Sequence, residues 1–216
     1  MQVYQKSLWK ETFTSFSKFG EIIKGECFDR NLNVLIVGCS DGKYVFPFLE
    51  QGHQVTAIDN DPVSLYGGEM KFKTDIIKID GLVKNLILEG YAESACTVIQ
   101  CDLMDFEYTN QYDVVLTSCS WHYSKNFKYP IKQIINKIKN FVCRDGLFFA
   151  DYMMPIKEKH FVLEHYIPPN KLRNFFGQQW KIILDLDLGV IEEEPHIGKE
   201  EWHTHHYGAF ASKKIF

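Results

Sequence analysis

An α/β fold with an open, mostly parallel sheet is what this sequence predicts, and three observations predict it. The first is the stretch VLIVGCSDGKYVFPFLEQGHQVTAIDNDP from Val34 to Pro62, which reads as strand, tight turn, helix and strand. The second is the recurrence of strand-length runs at Cys96 to Gln100, Tyr112 to Thr117 and Leu147 to Asp151, with helical-period segments between them; that alternation builds βαβ units. The third is the change near the C-terminus. Two β-rich runs, Trp180 to Leu188 and Thr204 to Ser212, follow one another with only an acidic, Pro-containing loop, Gly189 to Glu201, between them.

Taken in order, residues 4–24 carry Leu8, Trp9, Phe13, Phe16, Phe19, Ile22 and Ile23 at roughly helical spacing and predict one or two helices, closed by Gly25. Val34 to Val37 is short and wholly apolar, as a buried strand requires. The small-residue turn Gly38, Cys39, Ser40, Asp41, Gly42 follows, then a helix from Tyr44 to Gln51 ending at Gly52, then the run Val55 to Ile58, which finishes on Asp59. Gly38 and Gly42 let backbone approach something bound above the strand. A carboxylate at the tip of the neighbouring strand, Asp59, is placed to accept both hydroxyls of a ribose. A nicotinamide dinucleotide would need glycine at the first, third and sixth turn positions, so that a pyrophosphate can rest on the helix N-terminus. Those positions are Gly38, Ser40 and Lys43, so a ligand with a ribose and no phosphates fits better.

These residues resemble motif I of the class I S-adenosylmethionine-dependent methyltransferases, in which a hydrophobic strand enters a Gly-x-Gly-x-Gly turn and an acid ends the second strand. Here the turn is Gly38-x-Ser40-x-Gly42, with a small Ser at the middle glycine. The resemblance implies a single domain over residues 1–216: an N-terminal helical cover, 1–30, and a Rossmann-like core, 31–216. The implied sheet has seven mostly parallel strands, helices on both faces and an antiparallel C-terminal hairpin whose last strand inserts between the fifth and sixth. It further implies a cofactor site of Gly38, Cys39, Ser40, Asp41, Gly42, Asp59, Asn60, Asp102, Leu103 and Ser118. Asp102 would meet the adenine amine, Leu103 would donate its backbone amide to the ring, and Asp105 is the rival acid. The N-terminal segment is then either a helix packed on the sheet or a lid, with Tyr4 and Trp9 turned inward. Tellurite-resistance and thiopurine-type small-molecule enzymes are the nearest subfamilies by resemblance.

Beyond Asp59, Asn60-Asp61-Pro62 reads as a capped helix start, and Pro62 to Lys73 as a helix weakened by Gly67 and Gly68. Asp75 to Glu89 is an amphipathic helix by its Ile76, Ile79, Leu82, Val83, Leu86 and Ile87, stopped by Gly90. Tyr112 to Thr117 opens onto Ser118, Cys119, Ser120, Trp121, His122 and Tyr123 at the carboxyl end of a strand, where open α/β sheets bind ligands. His122 is the candidate catalytic base, and Trp121 and Tyr123 the aromatic walls for an acceptor or a sulfonium; alternatively the cluster only roofs the pocket. Pro130 to Val142 is the clearest helix, with an Ile131, Ile134, Ile135, Ile138, Phe141, Val142 stripe. Tyr152 begins an irregular connection from Ile156 to Pro169, of the kind that carries substrate recognition, and Asn170 caps a short helix, Lys171 to Phe176.

The acceptor region gathers Trp9, Trp121, Tyr123, Tyr152, His196, His203 and His205. In a strand, His203 and His205 point to one face and His206 to the other. Two same-face imidazoles with His196 or an acid have the donor set for a metal, but histidines facing solvent or a polar pocket are the preferred reading, so no metal is expected.

At 216 residues and a net charge of -4, the chain has the size of one domain and no broad basic surface, which disfavours nucleic acid. Six cysteines without CxxC spacing, and no apolar run of the ~20 residues a span requires, predict a reduced cytoplasmic enzyme without a membrane segment. The expected function is methyl transfer to a small molecule or peptide, as a monomer or homodimer. A macromolecular methyltransferase and a non-catalytic nucleoside-binding module remain as alternatives.

Overall fold

Helix α1 (Phe16–Gly25) buries Phe16, Phe19 and Ile23, the residues its apolar spacing turns toward the sheet. In the computed structural model, which describes residues 1–26, 30–72, 75–107, 111–121, 128–162, 165–195 and 201–216, the first βαβ unit follows. It runs from β1 (Asn33–Val37) through α2 (Val45–Leu49) to β2 (Gln54–Asp59). All of Val34 to Val37 is buried, as a strand covered on both faces must be.

Next comes a departure from expectation. Helix α3 (Pro62–Tyr66) is short, and β3 (Gly68–Phe72) and β4 (Asp75–Ile79) form an antiparallel pair before α4 (Gly81–Leu88). The predicted helices over 62–73 and 75–89 are therefore each cut short. Gly67 and Gly68 end α3, and the apolar residues of the second segment divide between two elements, with Ile76 exposed on β4 and Leu82 and Leu86 buried on α4. Helical periodicity cannot register such a break when the strand contributes only two or three apolar residues.

The remaining elements are β5 (Cys96–Gln100), β6 (Tyr112–Ser118), α5 (Ile131–Asn140), β7 (Val142–Pro155), α6 (Glu158–Phe161), a 3-10 turn at Leu172–Phe175, β8 (Trp180–Glu193) and β9 (His203–Lys214). Among the described residues seven strands form one sheet in the order β5-β2-β1-β6-β7-β9-β8. Strands β1, β2, β5, β6 and β7 run parallel, whereas β9 is antiparallel to both β7 and β8. The last strand thus inserts beside β7, the predicted topology. Both hairpin strands are longer than expected, and the acidic loop is correspondingly shorter.

The sheet separates two apolar cores. Val34 and Ile36 face α1, α2 and α4, while Leu35 and Val37 face α5 and the segment that precedes β8. Chain order reverses between β1 and β6, and their carboxyl ends open a crevice there. No helix among the described residues is long and apolar enough to cross a membrane.

Ile138 on α5 is fully buried, and truncating such a side chain removes its transfer energy and leaves a cavity. Ile138→Ala is expected to lower unfolding stability by about 2–5 kcal/mol in urea titration, and the exposed Lys132→Ala by less than about 0.5 kcal/mol.

Candidate functional site

The crevice holds a cavity of about 1020 Å³, at the upper end of the usual range for small-molecule sites. Its floor is the turn after β1 and the tip of β2. Gly38 N and Cys39 N both donate to Ile58 O, at 2.9 and 3.1 Å. Asp59 ties the turns together: its Oδ2 accepts from Ser40 N at 2.8 Å and its Oδ1 from Asp61 N at 2.9 Å. Burial pushes this carboxyl above the usual carboxylate range. Asp61 in turn caps α3, accepting from Val63 N, Ser64 N and Ser64 Oγ.

The two turn glycines are required by the protein itself. Gly38 has φ +71°, and a Cβ there would sit 2.4 Å from the Cβ of Ser120, so the turn after β6 presses on the turn after β1. Gly42, at φ +101°, admits the ring of Phe46 and the side chain of Leu82. Such contacts need glycine whether or not a ligand is near.

The N-terminal segment is the roof. Before α1 it runs as turns rather than the expected helix, and it is held by two buried acids. Asp41 accepts from Ser7 Oγ at 2.7 Å and Leu8 N at 2.6 Å. Asp151, at the end of β7's pairing with β6, accepts from Thr14 Oγ1 at 2.8 Å and from Ser15 N. Trp9 Nε1 donates to Ser40 Oγ at 2.9 Å, and Lys43 Nζ donates to Thr12 O and Thr12 Oγ1 at 2.9 and 2.8 Å. Burial lowers the Lys43 ammonium to about 8 and raises the Asp151 carboxyl to about 6.

Of the residues expected to hold a cofactor, Gly38, Cys39, Ser40, Asp59, Asn60, Leu103 and Ser118 line the cavity, joined by Cys101 and Ser120. Asp41, Gly42 and Asp102 do not. The Asp41 carboxylate is taken up by the roof, and Asp102 closes its own turn by accepting from Met104 N at 2.9 Å.

Of the acceptor candidates, Trp9 lines the cavity. Tyr4 stacks on Phe46 with ring centroids 3.8 Å apart and lies away from it. Trp121 and Tyr152, expected to face the acceptor, are instead buried in the core on the α5 side; the Tyr152 hydroxyl accepts from Asn170 N at 3.2 Å. Large aromatic surfaces at a strand end are buried as readily against a neighbouring helix as against a ligand. His203 and His205 are buried too, contrary to the solvent- or pocket-facing expectation, while His206 points the other way, to Asp187. His122, Tyr123 and His196 lie outside the described residues.

Sequence reasoning missed Lys43, Tyr44, Glu193 and Tyr207, all on the cavity wall. Lys43 and Tyr44 adjoin the motif turn and were legible by position. Glu193 and Tyr207 were not, because the pairing of β8 with β9 brings them there. Charge on the wall is lopsided: Glu11, Asp59, Asp61, Glu192, Glu193 and Glu194 stand against Lys43 and Lys71. Such a wall favours a cation over a polyanion.

A family model described as a methyltransferase domain matches residues 35–150. No curated protein is matched in sequence. Among solved structures, TehB from Haemophilus influenzae superposes with a TM-score of 0.64 at 14% identity, over 90% of this chain. This chain spans 62% of TehB's length. Magnesium protoporphyrin IX methyltransferase from Synechocystis with bound SAH gives 0.59 at 12% identity, covering 92% of this chain and 80% of that one. The 1,6-didemethyltoxoflavin-N1-methyltransferase of Burkholderia thailandensis gives 0.56 at 16% identity, covering 93% and 76%.

The raised Asp151 carboxyl sets a pH dependence. A proton held at about 6 in the folded chain against the ordinary 3.8 stabilises the fold fully below the unfolded value, and that stabilisation is lost as pH rises through 6. Relative to Asp151→Asn, the wild type should lose roughly 2 kcal/mol of stability between about pH 4 and pH 6.5, read from urea titrations across that range.

Proposed function

We propose that this chain, which belongs to the methyltransferase domain family, is an S-adenosylmethionine-dependent methyltransferase, that Asp59 holds the cofactor's ribose and that the acceptor is a small molecule or a short peptide. The observation that carries the reading is Asp59 itself, a carboxylate at the tip of β2 on the wall of a large cavity. Each of its oxygens accepts one backbone N–H, which leaves lone pairs for two vicinal hydroxyls. Val37, Ile58, Leu103 and Met70 supply apolar wall for an adenine, and the acidic wall suits a sulfonium.

Bound there, S-adenosylmethionine supplies a methyl group on a sulfonium sulfur, a leaving group that makes alignment of the acceptor most of the task. The protein's part is to orient and to exclude water. Ser40, Asp59 and Asn60 would fix the nucleoside. Trp9, Thr12 and Phe13 from the roof, Met70 to Phe72 from β3, and Glu192 to Pro195 from the end of β8 enclose the remaining space. An acidic cavity of this size fits a small neutral or cationic acceptor and opposes nucleic acid.

Transfer of a labelled methyl group from S-adenosylmethionine into an extract of the source cells tests the acceptor class. Label in the acid-soluble fraction is expected, and label only in the precipitate would overturn it. Asp59→Asn should weaken binding of S-adenosylhomocysteine by about 10–100-fold in calorimetric titration; unchanged affinity would refute the ribose assignment.

A further inference from the structure

At the cavity's far wall, the ends of β8 and β9 bring together Glu193, His203 and His205, whose ligand-capable atoms all lie within 4.8 Å of one another. We propose that these three residues bind a divalent zinc-type cation, with the ion's open coordination position facing the cavity in which the acceptor sits. The proposal rests on the methyltransferase reading only for the word acceptor; the metal site stands on its own geometry.

Strand register creates the cluster. Glu193 pairs directly with His203, and Ile191 with His205, so Glu193, His203 and His205 project from one face of the sheet, as direct and diagonal cross-strand neighbours do. Both imidazoles have fully buried side chains, and the Glu193 side chain is 15% exposed.

The surroundings are those of metal ligands. A ligating histidine commonly gives its other ring N–H to a backbone carbonyl, which fixes the tautomer and aims the remaining nitrogen. His203 Nδ1 lies 2.9 Å from Glu201 O, a contact that requires the proton on Nδ1; in the neutral ring a metal needs, the lone pair is then on Nε2. That nitrogen faces Glu193 Oε2 at 3.6 Å, a spacing across which a cation fits between two acceptors. His205 Nδ1 bonds to the same Oε2, so both imidazoles converge on one carboxylate oxygen. The other oxygen, Oε1, accepts from Tyr207 OH at 2.5 Å, which orients the carboxylate. Tyr207 is itself held edge-on by Phe13 of the roof, with ring centroids 5.2 Å apart. The ring of His160, on α6, stands 6.1 Å from that of His203 and completes an imidazole-rich shell.

Two imidazoles and one carboxylate are the donor set of open zinc sites, in which a fourth position is left for water or substrate. Glu193 and Tyr207 line the cavity whereas His203 and His205 lie behind them, so the open position falls on the cavity side. Metal ligands bind in their deprotonated forms, and affinity therefore weakens as pH falls.

The test uses the full-length, untagged protein, stripped with a chelator and titrated with zinc chloride in a calorimeter. About one tightly bound equivalent is expected, weakened at least 10-fold by His205→Ala or His203→Ala and unchanged by His206→Ala, which removes an imidazole on the opposite face. No stoichiometric binding, or equal weakening by His206→Ala, overturns the site. Should the buried-histidine variants fail to fold, cobalt(II) added to the wild type decides: the intense visible band of four- or five-coordinate cobalt upholds the site, and the weak band of the hydrated ion overturns it. S-adenosylhomocysteine titrated into the same samples separates failure of the metal site from failure of the cofactor reading.

Discussion

One half-buried carboxylate organises the centre of this molecule. Asp59 ends β2 and receives the backbone of both turns that leave the neighbouring strand tips, through Ser40 N and Asp61 N. Without it, two backbone donors at the mouth of the cavity would face an apolar floor, a cost comparable to a lost hydrogen bond for each. The same geometry holds its oxygens at the cavity wall. A single acid therefore sets the local fold at the point where the proposed ribose contact would form.

Two further acids extend that logic to the roof. Asp41 and Asp151 are each almost wholly buried, and each is satisfied by the N-terminal segment, at Ser7 and Leu8 for one and at Thr14 and Ser15 for the other. Tyr4, stacked on Phe46, ties the start of the segment to the apolar core, and charge-assisted hydrogen bonds hold the rest in place. This explains why the chain from Tyr4 to Thr14 is turn-like although its aromatic residues have helical spacing. Its backbone groups are needed by partners outside the segment and are not free to form a helical ladder.

Much of the architecture was legible in advance. The first βαβ unit, α5, the strand-length runs and the inserted last strand lie where periodicity and the motif resemblance put them. Gly38, Ser40 and Asp59 come together because they occupy the ends of two adjacent parallel strands, which short-range sequence already implies. Other expectations failed for identifiable reasons. The pair β3 and β4 was hidden because Ile76 and Ile79 fit a helical stripe as well as a strand. Trp121 and Tyr152 were assigned to the acceptor by position, yet a helix packed on the other side of the sheet buries them. The acidic loop between the last strands turned out shorter, because β8 continues to Glu193.

By itself the sequence determined the fold class, the nucleoside-type turn and the acid that follows it, since these depend on hydrophobic period, turn chemistry and separations of a few tens of residues. Only the tertiary structure decided that Gly38 and Gly42 answer to protein contacts, where the carboxylates of Asp41 and Asp102 are used, and how Glu193 meets His203 and His205. The physical reason is register. A shift of one residue between β8 and β9 would turn the whole set to the opposite face, and register is set by packing across the sheet, which no local pattern encodes.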